Sequence, residues 1–406
     1  MGKAALQGRL LDRRYGPMKI LLVNHGTAGD WGGGDSVQIR ETAKRLEQRG
    51  HKVMHVNADQ PSVAGFDMVH IFNCRVQESF AQQIKTCRES GVPVVVSPIW
   101  VSIGRALWGS RASIGILKQA VEAGAASVEP LMQQLKARTL AVDIGEGECV
   151  QANGYPVQSN PQMQMIGNLL NHCDAILPNS WLELKAIQTD LNWSGNTFAV
   201  APYGVDPRLF LDADPSFFRE QTGINGDFIL QAGRIEPSKN QAMLCWALRN
   251  TNLPIVLIGG RQHWPSYADL CKKISGNSLT IIEHLPQPLL ASAYAAARVH
   301  VLPSWMETCG LVTLEAALSG TPVVASTFGH ELEYLKGDAW YCDPADPLTI
   351  QRAVLAALGE GSHGNKAMRL KGRILSEFNW ERTVDITEAL YKRILNGSAS
   401  NHQPVL

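Results

Sequence analysis

The stretch VHVLPSWMETCGLVTLEAALSGTPVVAS, Val299 to Ser326, leaves a chain few ways to fold. Val299-His300-Val301-Leu302 is a short apolar run that reads as a buried strand and stops at Pro303. After a loop from Ser304 to Cys309, a helical pattern begins at Gly310, with Leu311, Leu314, Ala317 and Leu318 on one face. Gly320 ends it, and Thr321-Pro322 leads into a second strand, Val323-Val324-Ala325. A strand, a helix and a strand in this order predict a parallel crossover unit. Two carboxylates bracket the turn into the helix, Glu307 and Glu315. Ligands of open parallel sheets bind beyond the carboxyl ends of the strands, where Glu307 lies. The amides of Gly310 and Leu311 would be unpaired donors at the helix start, suited to a phosphate. Carboxylates repel phosphate but accept from hydroxyls, so a nucleotide-sugar offers something to both. Taken alone, the glutamate pair reads more readily as a solvated loop residue and a surface helix position.

The same alternation runs through most of the chain. Met18 to Asn24 reads as a first strand, followed by Trp31-Gly32-Gly33-Gly34-Asp35 and a helix with Ile39, Ala43 and Leu46 on its apolar side. The glycines would let a ligand approach the backbone, or simply make a turn. They do not form G-x-G-x-x-G, and no acidic residue is placed for a nicotinamide cofactor's ribose. Strands at 51–56, 66–72, 92–98 and 174–178, with helices at 80–90 and 160–171, make a doubly wound domain, and Asn179-Ser180 caps one more helix. Residues 100–145 read as helical. Ala201 to Pro207 reads as a linker. The pattern then restarts, with strands at 228–231, 255–258, 279–282, 299–302, 323–325 and 340–342. At 406 residues, two or three domains are expected. The predicted division is a disordered arm at 1–17, an acceptor-side domain at 18–202 and a donor domain at 203–378. A helix at 379–396 would pack back on the first domain, ahead of a disordered tail at 397–406.

Composition narrows the class of function. Hydrophobic content of 45%, charged content of 18% and zero net charge suit a globular protein and argue against nucleic-acid binding. The eight cysteines lack metal spacing and read as small core residues in a reducing, cytoplasmic setting. No apolar run reaches the ~18–20 residues that span a bilayer, and the first 17 residues lack the apolar segment of a secretory signal. Arg105, Trp108, Arg111 and Lys118 would suit weak peripheral contact with anionic lipid; a solvated helix flank explains them as well.

Gly233-Arg234-Ile235-Glu236-Pro237-Ser238-Lys239-Asn240 follows the first strand of the second half. Arg234 offers a planar fork and Lys239 a point charge, a pair suited to a diphosphate. The order matters: a basic loop, then Gly259-Gly260 after the next strand, then the paired glutamates. With GRIEPSKN, ETCGLVTLE, SGTPVVAS and Gly329-His330-Glu331-Leu332-Glu333 in that order, the chain resembles the retaining GT-B nucleotide-sugar glycosyltransferases of the group-one type. The resemblance covers residues 18 to about 395, and Gly50-His51-Lys52-Val53 and Tyr203-Gly204-Val205-Asp206 match further landmarks.

That resemblance implies two Rossmann-like domains facing across a cleft. Arg234 and Lys239 would hold the donor diphosphate and stabilise the leaving group, with no cofactor and no metal. Glu307 would contact hydroxyls of the transferred sugar and Glu315 those of the ribose. Gly233, Gly259, Gly260, Cys309, Gly310 and Leu311 would line the donor, and Gly33 and Gly34 would lie against it or against the acceptor. The backbone from Glu283 to Leu285, including His284, is the candidate for the base. The donor would be a UDP-, GDP- or ADP-sugar, and the acceptor a sugar, a lipid-linked sugar or a small molecule. Glu307→Ala or Lys239→Ala would then abolish transfer with the melting temperature nearly unchanged. The chain departs from the family in three places. Cys309 stands where Phe is frequent, Gly329-His330 replaces Gly-Gly, and Ser97-Pro98-Ile99-Trp100 has no His where one faces the donor sugar. A nucleotide-sugar epimerase of the same architecture, or a degenerate sugar-nucleotide-binding protein, would share the remaining features.

Overall fold

A computed structural model describes residues 16–28, 33–128, 161–362 and 364–397. The chain divides into two compact units. The first unit holds a five-stranded, all-parallel sheet of β1 (Lys19–Asn24), β2 (Lys52–Asn57), β3 (Met68–Phe72), β4 (Val94–Ser97) and β5 (Ala175–Ile176), ordered β2-β1-β3-β4-β5. The second holds a six-stranded parallel sheet of β6 (Ile229–Ala232), β7 (Ile255–Ile258), β8 (Leu279–Ile282), β9 (Val299–Leu302), β10 (Val323–Ser326) and β11 (Trp340–Cys342), ordered β11-β10-β9-β6-β7-β8. β1, β3, β4, β6, β7, β9 and β10 are apolar runs bounded by turn residues. Helices pack on parallel sheets, so the alternation that marks a one-faced strand is lost.

The helix Trp380–Leu395 buries Trp380, Thr383, Val384, Thr387, Leu390 and Tyr391, a 3.6-residue stripe, in the first unit. Val384, Leu390 and Tyr391 join the core of Ile20, Leu22, Ile39, Met68 and Val95. The last helix is thus part of the first unit. At its surface Arg49 meets Glu381, Asp385 and Glu388 at 3.1, 2.7 and 2.9 Å.

The first boundary differs from the expected one. Residues 100–202 were expected to belong wholly to the acceptor-side domain. The helix Ile103–Glu122 instead belongs with the second unit, where Leu117 and Ala120 join the core of Trp246, Trp305 and Tyr267. Gly109 gives room for this: a Cβ there would run into the Trp305 ring. Apolar periodicity identifies a helix but carries nothing about which sheet it covers. Within the basic flank, Arg111 and Lys118 are exposed, and the side chains of Arg105 and Trp108 lie outside the described residues. The expected arm at 1–17 (all but its last two residues), Trp31 and Gly32, the helical pattern beyond Val128 and the tail after Gly397 lie outside them too. Among the described residues no helix is long and apolar enough to cross a membrane.

Candidate active site

In the second sheet the chain builds from β6 outward to β7 and β8, then crosses to β9 on the other side of β6. The loops after β6 and β9 therefore diverge at their carboxyl ends, the switch point where open parallel sheets take ligands. Arg234 and Lys239 lie in one of these loops and Glu307 in the other. Backbone ties hold the loops together. The Trp305 amide donates to the Ser238 carbonyl at 2.8 Å. Asn240 sits in the left-handed region at φ 61°, and its side-chain amide donates to the carbonyls of Pro303 and Pro344 at 3.0 and 2.8 Å. The Gln231 and Gln241 side chains donate to the carbonyls of Lys239 and Arg234 at 2.7 and 2.8 Å. With its backbone so fixed, Lys239 places its ammonium in an ion pair with Glu307.

Arg234, half exposed, reaches Glu236 at 3.1 Å. Burial pushes the Glu236 carboxyl up, but Arg234 and the Ser238 hydroxyl together outweigh it and hold it below the usual range. Gly233 and Gly259 lie at neighbouring strand ends, so close that a Cβ on Gly259 would overlap the Gly233 carbonyl. The Gly233 amide donates to Ile258 and the Ile235 amide to Gly260, at 2.9 Å each.

The helix expected after Gly310 is Leu311–Leu318, with Gly310 itself as N-cap at φ 63°. Gly310 must be glycine twice over: its backbone is left-handed, and a Cβ would run into the Glu331 carboxylate. Cys309 is buried beside it. Glu315, half buried, accepts from the Tyr294 hydroxyl at 3.0 Å. Burial raises its carboxyl to about 7, with Tyr294 pulling the other way. His284 is exposed and Leu285 partly so, in the turn after β8, where Arg261 meets Glu283 at 2.7 Å. Gly33 and Gly34 open the helix Gly34–Gln48 of the first unit. They follow β1, at that sheet's own switch point between β1 and β3.

Three partners escaped the reading of the sequence as site residues: Glu236, Tyr294 and Glu331. Glu236 and Glu331 lie inside quoted motifs but were given no role there, and Tyr294 left no local trace. In the first unit the segment Ser97 to Trp100, where the resemblance would place a His, is held otherwise. Ile99 lies in the left-handed region at φ 53°, an outlier for a β-branched residue. The Glu183 carboxylate beneath it accepts from the amides of Trp100 and Asn179 at 2.7 and 2.6 Å. The buried His70 ring lies between Tyr391 and Ser97 hydroxyls, at 2.5 and 2.9 Å. Among the described residues no group of three metal-ligating side chains converges.

Residues 226–360 match the model of the group 1 glycosyl transferases. The chain is 29% identical to a D-inositol 3-phosphate glycosyltransferase of Kribbella flavida over 257 residues, 57% of this chain and 60% of that one. It is 28% identical to the enzyme of that name from Geodermatophilus obscurus over 416 residues, 90% of this chain and 85% of that one. Among solved structures, the Anabaena protein Alr3699/HepE in complex with UDP-glucose superposes with a TM-score of 0.67 at 17% identity, over 92% of this chain and 99% of that one.

Proposed function

The chain belongs to the group 1 glycosyltransferases, with the two parallel-sheet, Rossmann-like units of the GT-B fold, and on that premise we propose that it moves a hexose-type sugar from a nucleoside diphosphate to an acceptor hydroxyl. The contact of Lys239 with Glu307 at the switch point of the second sheet carries this reading. It sets a cation suited to phosphate against a carboxylate suited to hydroxyls, beside the free amides of a helix start. A donor diphosphate would take Lys239 from Glu307, leaving Glu307 to accept from the sugar. Arg234 would come to the diphosphate from its seat on Glu236, and Glu315 with Tyr294 would meet the ribose.

In the proposed step the acceptor oxygen bonds to the anomeric carbon on the face from which the phosphate departs. The acceptor proton passes to the leaving phosphate, and configuration is retained. Arg234 and Lys239 would take the growing charge, so the reaction is proposed to need no divalent ion. The Anabaena complex makes UDP-glucose the first donor to try, and the names of the relatives make an inositol phosphate the first acceptor. The seven described cysteines are all free, which supports a reducing, cytoplasmic setting.

The test is release of nucleoside diphosphate with formation of a glycosylated product, with and without chelator. Glu307→Gln should lower kcat by about 10²–10³, the cost of losing one contact to the transition state. Turnover equal to wild type in that variant would sink the assignment. Isomerised sugar in the absence of any acceptor would point instead to an epimerase.

A further inference from the structure

Glu331 is a carboxyl that neither half of the proposed donor site uses. It is wholly buried. The amide of His330, its neighbour, donates to the Glu307 carbonyl at 3.0 Å, so the loops after β9 and β10 run side by side. Glu331 Oε2 lies 3.3 Å from Thr313 Oγ1 and blocks the space a Cβ on Gly310 would need. Its Oε1 has no hydrogen-bond partner. The cation in reach, Lys239, is already engaged by Glu307. Burial first, and the charge of Glu307 second, push the Glu331 carboxyl above its ordinary range; Lys239, Thr313 and the backbone of Ser326 oppose this without outweighing it. From β11, Tyr341 and Cys342 also face it, and both are pushed up in part by Glu331.

We propose that Glu331 is a positioning residue that acts as a neutral carboxylic acid: it seats the Gly310 turn and allows Lys239 to leave Glu307 for the donor diphosphate. This rests on the donor-site reading above. With Lys239 gone, two bare carboxylates would face each other in a closed pocket. A protonated Glu331 instead presents an O–H that Glu307 can accept, and repulsion becomes a hydrogen bond. No bond to carbon or phosphorus is involved, and the proton stays within the pair.

The experiment uses the full chain and two variants, Glu331→Gln and Glu331→Leu. Glutamine keeps the neutral donor and the shape; leucine keeps only the bulk. A carboxyl raised in the folded state contributes stability below its unfolded value, and loses it as pH rises through its folded one. The melting temperature of wild type should therefore fall relative to Glu331→Gln as pH rises above the ordinary carboxylate range. An offset that does not change with pH would overturn the neutral acid. Calorimetric titration with UDP-, GDP- and ADP-glucose reads the positioning role. Glu331→Gln should bind like wild type near neutral pH. It should also escape the loss of affinity, about tenfold per pH unit above the folded value of Glu331, expected of wild type as pH rises. Glu331→Leu should bind weakly throughout. Equal binding by both variants would reduce the residue to a space filler and refute positioning. A wild-type chain that binds none of the three donors would instead refute the donor site and the positioning role with it. The melting comparison would then still decide the protonation.

Discussion

Lys239 and Glu307 each offset a charge that would otherwise be stranded: their side chains are 18% and 8% exposed, and Glu331 lies behind them. Two separate motifs, GRIEPSKN and the paired glutamates, were each weak alone and became legible together through their order. That order also suggested that Lys239→Ala would leave stability nearly unchanged, and the geometry revises this. Removing Lys239 alone leaves the nearly buried Glu307 carboxylate without a counter-charge, so Lys239→Ala should cost up to about 3 kcal/mol in denaturant unfolding. Glu307→Gln, which leaves the more exposed Lys239 as the unpaired charge, should cost less. Asn240→Ala should cost about 2–3 kcal/mol, since it strands the Pro303 and Pro344 carbonyls and puts Ala in a left-handed backbone. Tyr294 could not be assigned from sequence because its role depends on its contact with Glu315, 21 residues away, across which the chain carries no local pattern; Glu236 and Glu331 stood in legible motifs, but what they touch was not legible.

Among the elements, the strands were the most readable, because a short apolar run between glycines and prolines has few alternatives. β5 was the least: expected over 174–178, it pairs only through Ala175 and Ile176. Ser180 caps the following helix as expected, accepting from the Glu183 amide at 3.0 Å. The helix Ile103–Glu122 was recognised as a helix but assigned to the wrong unit, and its fit around Trp305 yields a test. Gly109→Ala, in a helix where Ala is intrinsically the better residue by about 1 kcal/mol, should nonetheless lower the melting temperature. The helix Trp380–Leu395 is tied down by Glu388, whose carboxyl is raised by burial but held at about 2 by Lys392 and Arg49. A depressed carboxyl contributes stability above its unfolded value and loses it as pH falls. Wild type should thus be more stable than Glu388→Gln at neutral pH, and the gap should close towards about pH 2, as read by urea midpoints.

In the whole molecule, two parallel sheets each reverse strand order once, between β1 and β3 and between β6 and β9, and the candidate residues collect beside those reversals. Buried carboxylates also shape its response to pH. Glu183 and Glu315 are both raised to about 7, chiefly by burial. Raised carboxyls give stability that is lost with rising pH, so the wild-type melting temperature should fall between about pH 5 and pH 8. Whether the loops after β6 and β9 hold a nucleoside diphosphate through Lys239 is read by thermal shift against UDP-, GDP- and ADP-sugars. A ligand that binds the folded chain raises its melting temperature by mass action. One of the three families should do so in wild type and lose most of that effect in Lys239→Ala. Equal shifts in the two proteins, or none in either, would contradict it.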